Sequence, residues 1–218
     1  MTDRADFLER VRDRLTSVEG RDAHVPADWA VQIEDPIQRF EVELKAVGGT
    51  LHRCTPARRA EVLEGILQGR DMPAVLMARD EEVPSDIEGA VASAGGELRW
   101  WPETGRDGAA TAEVGVTGAL WAVAETGTVV VDAAPPGGRA PSLLPSTHVA
   151  FVDEALLLPT VSDLFVQIAE MDSYPSNLVL ITGPSKSADI GNELALGVHG
   201  PGELHVVLVG RSSGPTPA

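Results

Sequence analysis

Three short stretches of this 218-residue chain bring together residue types that do chemistry. In VAETGTVVVD (123–132) a single carboxylate, Glu125, and the hydroxyls of Thr126 and Thr128 interrupt a run of small apolar residues around Gly127. A carboxylate emerging from a buried strand is partly desolvated, which raises its pKa and suits it to nucleophilic or acid–base work. The same spacing is equally that of a solvated turn residue. The second stretch is Gly183-Pro184-Ser185-Lys186-Ser187, with Asp189 two residues on. Two hydroxyls, one ammonium and the N–H groups of a following helix could hold a phosphate or a carboxylate. It is not a phosphate-binding loop of the Gly-Lys-Ser/Thr type. A plain helix start, with Ser187 as cap and Asp189 suiting the dipole, explains the same residues, and the two readings can coexist. In the third, His199 lies between Gly197 and Gly200, which leave its imidazole accessible; a loop histidine bonding local backbone is the alternative. His205 is six residues on, inside an expected strand, so metal-ligand spacing is lacking and no metal site is expected.

The elements that must position these residues can be read from periodicity. Phe7, Val11, Leu15 and Val18 make one helical stripe, and Phe40, Leu44 and Val47 repeat it after Pro36. Short apolar strands then alternate with helices: GGTLHRC, a helix beginning at Thr55-Pro56 and stopping at Gly69, PAVLMA, SDIEGAVASAGG and ELRWW. This rhythm predicts an α/β fold, a mainly parallel sheet flanked by helices. Residues 119–125 and 128–132 predict a β-hairpin, with Gly127 supplying the positive φ of the reversal. A Pro/Gly loop over 134–148 is expected to pack on the sheet. There follow a strand at HVAFVD, a helix capped by Thr160 or Ser162, a buried strand at NLVLITG, a helix at SADIGNELALG and a last strand at GELHVVLVG. One domain over 1–210 is expected, its first 50 residues helical, with 211–218 a frayed tail.

Composition narrows the function classes. Seventeen basic against 33 acidic residues give a net charge of -16, which repels phosphate backbones and anionic membranes, so no nucleic-acid partner is expected. A local site for a small anionic metabolite remains compatible. One cysteine, Cys54, excludes an internal disulfide and a self-contained iron–sulfur cluster. No signal-peptide core or membrane span is visible, and a cytoplasmic location is expected. No iron, flavin or zinc cofactor is expected.

EVGVTGALWAVAETGTVVV, SLLPSTHVAFVD, LPTVSDLF and ITGPSKSADIGNELALGVHGPGELHVVLV, in this order over roughly residues 112–209, resemble the lactate-utilisation protein C family, or LUD domain. The resemblance implies a NagB/RpiA/CoA-transferase-like fold, in which AETGT and GPSKSADI converge on one cleft at the carboxyl edge of the sheet. It also implies a part in oxidising L-lactate to pyruvate, as a non-redox accessory beside subunits that carry iron–sulfur clusters. Two other readings stand beside it: a stand-alone CoA-transferase- or isomerase-like enzyme using Glu125, and a scaffold whose cleft is vestigial. In the expected cleft Glu125, Ser185, Lys186 and His199 are neighbours. Lys186 about 4 Å from Glu125 would attract it by about 4 kcal/mol at an effective dielectric near 20.

Overall fold

A computed structural model of the chain describes residues 4–16, 32–78, 86–133, 138–187, 195–197 and 199–210. They fall in two compact units, 1–31 and 32–218. The first holds helix α1 (Arg4–Thr16), on which Phe7 and Leu8 are exposed.

The second unit begins with α2 (Pro36–Ala46). Pro36 occupies the first turn, where its missing N–H costs nothing, and the Asp35 side chain accepts from the Gln38 N–H. Strand β1 (Thr50–Cys54) follows, then a 3-10 turn and α3 (Arg59–Leu67). Thr55 makes no side-chain cap there. The parallel pattern continues through β2 (Ala74–Ala78), α4 (Ile87–Ser93), β3 (Glu97–Trp101), α5 (Gly105–Ala110) and β4 (Val114–Gly118). The chain then turns through β5 (Trp121–Val123) and β6 (Thr128–Asp132), a short α6 (Ala140–Leu143) and β7 (Thr147–Asp153). The remaining elements are β8 (Leu157–Leu158), α7 (Val161–Ala169), β9 (Leu178–Ile181), β10 (Lys186–Ser187), β11 (Ala195–Leu196) and β12 (Glu203–Val209).

Six strands form the main sheet, in the order β1-β12-β7-β4-β2-β3, and every neighbouring pair is parallel. Its central strands are apolar on both faces, as a sheet covered on both sides requires. On one face Val75, Met77, Val116, Val149, Phe151 and Val207 pack with Leu63 and Leu67 of α3 and with Ile87 and Val91 of α4. On the other, Ala150, Leu204, Val206 and Leu208 pack against Phe40 and Leu44 of α2.

That second face also receives a smaller sheet, β8-β5-β6-β9. The expected hairpin is its centre: β5 and β6 are antiparallel, Val123 opposite Thr128, and Gly127 has φ 65°. No side chain fits at Gly127 in any case, since even an added Cβ would lie 2.7 Å from Leu44 Cα of α2. Strand β9 pairs on one side only, with β6, and Leu180 is 48% exposed. The NLVLITG stretch is therefore a half-buried edge strand, because the apolar run faces a helix and a cavity rather than two sheet neighbours.

One expected element differs at its ends. The stretch from Ser187 to Leu196 was expected to be helical, but Lys186–Ser187 and Ala195–Leu196 pair as an antiparallel ladder. Ser187 therefore lies in a strand and does not begin a helix. Hydroxyl and glycine signals around it mark a turn as readily as a cap, which is why the period misled. Residues 188–194, Asp189 among them, and the expected tail 211–218 lie outside the described residues.

Candidate functional site: a cavity between the two sheets

The strand register brings the two chemically loaded stretches to one end of the smaller sheet. Val129 of β6 pairs with Ile181 of β9, so the turn before β6 lies beside the loop after β9. Their contact is a chain of hydroxyls: Thr126 Oγ1 is 2.7 Å from Thr128 Oγ1, which is 2.7 Å from Thr182 Oγ1. The charged residues diverge from there. The Glu125 carboxylate accepts from the Val161 N–H at 2.9 Å, at the first turn of α7. Thr160 and Asp163 complete that helix start as a reciprocal capping box. The Lys186 ammonium donates instead to the Val47 carbonyl, at the end of α2. Glu125 and Lys186 are thus not an ion pair; each is held by a helix end of opposite partial charge.

The 183–186 loop does not lie at the carboxyl edge of the main sheet. It folds back so that the Ser185 N–H donates to the Pro201 carbonyl and the Gly197 N–H to the Ser185 carbonyl. Gly183 sits at φ 84° with Val47 close behind, a Cβ there lying 2.9 Å from it. Between this loop, β9 and the amino ends of β7 and β12 is a cavity of about 260 Å³. Gly183, Ser185 and His199 line it, together with Ser142, Leu143, Leu180 and Leu204. Of the residues expected from sequence, these three reach the cavity. Thr128 connects to its rim through Thr182, and Glu125, Thr126, Gly127 and Lys186 support the surrounding turns.

His148 also lines the cavity, and sequence reasoning did not single it out. Its signal was a polar ring in the apolar strand THVAFVD, at a position where a central strand is dry. The side chain is 1% exposed, and burial lowers its pKa to about 4, so the ring is neutral. Nε2 lies 2.9 Å from Thr117 Oγ1 on neighbouring β4. Nδ1 is buried and has no partner among the described residues. A buried polar atom left so costs about 1–3 kcal/mol.

A second cavity, about 230 Å³, opens at the carboxyl ends of β4, β7 and β12. Its charged lining groups are engaged: Arg59 with Asp86 at 2.7 Å, and Asp153 with the Ala155 N–H. Elsewhere, His52 Nε2 lies 3.0 Å from His205 Nδ1 on the α3 side of the main sheet. Among the described residues no group of three or more His, Cys, Asp or Glu is placed to hold a metal ion. Cys54 is buried in the core, and no described helix is long and apolar enough to cross a membrane.

Fold and cavity define a two-sheet α/β protein with a pocket where an all-parallel sheet meets a smaller mixed one. A solved structure has a similar fold: a DUF162 family protein from Deinococcus radiodurans, TM-score 0.63 at 22% identity, superposes on 83% of this chain and all of that one. The chain belongs to the LUD domain family, which matches residues 37–209. It is 30% identical over 230 aligned positions to Lactate utilization protein C of an Exiguobacterium species, covering 96% of each chain. It is 43% identical to Lactate utilization protein C of Bacillus subtilis over 102 residues, 45% of this chain and 42% of that one.

Proposed function

We propose that the chain serves the utilisation of L-lactate as a non-redox accessory of the oxidation system, binding a small organic anion in the cavity at Gly183, Ser185 and His199. The observation that carries this reading is the end-to-end similarity to Lactate utilization protein C, at 96% coverage of both chains. The cavity adds support, because five of its lining residues, Gly183, Pro184, Ser185, His199 and Gly200, come from the 183–200 stretch on which the family resemblance rests. The electron-carrying steps belong to partner subunits with iron–sulfur clusters, since one core cysteine cannot ligate a cluster. Glu125 acts here by holding α7 against the hairpin, a use of its carboxylate that the Val161 N–H favours over nucleophilic attack.

Deletion of the gene in its host, with growth compared on L-lactate and on glucose, tests this. Growth on L-lactate is expected to fail selectively and to return with the intact gene. Unimpaired growth on L-lactate would overturn the assignment.

A further inference from the structure

We propose that the cavity between the sheets takes a short-chain organic acid whose oxygen is seated on the Nδ1–H of His148. The choice of acid rests on the lactate reading above; the site itself rests on the geometry.

The position of the ring proton follows from the hydrogen bonds. Thr117 Oγ1 is buried and has His148 Nε2 as its side-chain partner. If the hydroxyl donates to Nε2, one buried group is left unpaired, whereas the reverse leaves two, the hydroxyl proton and the Nδ1 lone pair, so Nε2 is assigned as the acceptor. A neutral imidazole then carries its proton on Nδ1. That N–H belongs to a ring lining the cavity, is shielded from water and lacks an acceptor. The terminal torsion of a histidine is broad, which lets the ring adjust to a bound acceptor.

The lining determines what acceptor fits. Leu143, Leu180 and Leu204 offer apolar walls, while the hydroxyls of Ser142 and Ser185 add polar contacts. Ser142 Oγ donates to the Arg139 carbonyl, which leaves its lone pairs for a ligand hydroxyl. No lysine or arginine is among the described lining residues. A phosphate dianion would enter such a site without a counter-charge, whereas a monocarboxylate with a short carbon chain can spread one charge over N–H and O–H donors. The volume equals that of about eight or nine waters at ~30 Å³ each, enough for a small 2-hydroxy or 2-oxo acid and too little for a nucleotide.

The test is histidine-ring ¹⁵N NMR on the full chain, titrated with L-lactate, pyruvate and, as comparison, inorganic phosphate. In the free protein His148 is expected as the Nδ1–H tautomer. L-Lactate or pyruvate should shift its ring nitrogens, and phosphate at equal concentration should not. His148→Gln keeps an amide for Thr117 but removes the donor near the cavity, and is expected to weaken binding about tenfold, a loss of ~1.4 kcal/mol. His148→Asn, whose amide nitrogen takes the Nδ1 position, should restore most of it. An Nε2–H tautomer, or His148 resonances unmoved by both acids, would overturn the site, whatever the variants do. Binding at His148 with normal growth of the deletion strain on L-lactate would leave the site standing and remove the functional reading. Failed growth with no shift at His148 would do the reverse.

Discussion

The turn after β5 and the loop after β9 lie side by side at one end of the smaller sheet, and each carries one charged residue of the kind that performs catalysis. In the turn, Glu125 is drawn to the start of α7; in the loop, Lys186 is drawn to the end of α2. Helix ends carry partial charges of about half a unit, positive at the start and negative at the end, so each side chain has gone to the end that attracts it. Deeper between the sheets the uncharged His148 keeps one nitrogen unsatisfied. The difference teaches where reactivity is stored in this fold: formal charge is neutralised by the scaffold, while hydrogen-bonding capacity survives at the cavity.

The largest expected effect probes the turn itself. Gly127 combines a φ of 65° with the backbone of α2 pressed against it, Glu43 C lying 2.7 Å from where a Cβ would be. Gly127→Ala must both strain the backbone and push α2 from the hairpin. A loss of more than about 3 kcal/mol is expected in chemical denaturation, since left-handed strain alone costs about 1–3. A near-neutral Gly127→Ala would show that the turn and α2 are not tightly coupled, and the Glu125 side of the comparison would lose its support.

Next in size is an acid transition that belongs to the histidines. His148 has its pKa lowered to about 4 by burial, and His52 to about 4 by burial and by the neighbouring His205. In the unfolded chain both titrate near 6.5, so the unfolded state binds more protons as acidity rises. Their contribution is therefore complete above pH 6.5 and is lost as the pH falls from 6.5 through 4. For the fully buried His148 the loss is on the order of 3 kcal/mol at the lower end. His148→Gln, which cannot take up a proton, should flatten the stability profile across this window. An undiminished slope would assign the acid sensitivity to the exposed carboxylates or to the His52–His205 pair.

Much of this arrangement was legible in the sequence, and what was not has a physical reason. The hairpin declared itself because two apolar runs flank a Thr-Gly pair suited to a tight reversal. The parallel sheet declared itself through alternating short apolar runs and capped helices. The pairing of β10 with β11 did not, because Gly, Ser and Asp mark turns and helix starts alike. The meeting of Glu125 and Lys186 was expected from the strand-loop context of Ser185 and Lys186 and from the family resemblance that brings AETGT to the same edge. Sequence spacing could not show that two helix termini stand nearer to them. His148 went unnoticed for the opposite reason: one polar residue in a strand is ordinarily a satisfied one, and only coordinates reveal which of its nitrogens has no partner.

Glu125 offers a smaller but sharper test. Glu125→Ala removes the carboxylate that receives the Val161 N–H and leaves that half-buried donor to the remaining cap residues Thr160 and Asp163. A loss of about 1–2 kcal/mol is expected, with Glu125→Gln, which keeps an acceptor oxygen, costing about half as much. The ordering matters more than the size. A Glu125→Gln protein of unchanged stability that nonetheless fails to support growth on L-lactate would mark the carboxylate as chemical rather than positional.

The smallest effect is expected at Lys186. Its side chain is exposed, and it donates to the Val47 carbonyl in the cap of a helix whose packing rests on the buried Phe40 and Leu44. Exposed cations at helix ends contribute about 0.3–1 kcal/mol and are screened by salt. Lys186→Met, which keeps the length and loses the charge, should therefore cost about 0.5 kcal/mol at low ionic strength. The cost should shrink further in 0.5–1 M salt, where the Debye length falls to about 3–4 Å. Acid binding monitored at His148 should hardly change in this variant, because the ammonium faces α2 and does not line the cavity. A marked loss of acid binding in Lys186→Met would place a cation in the site after all, and would make charge rather than the neutral imidazole the feature that selects the ligand.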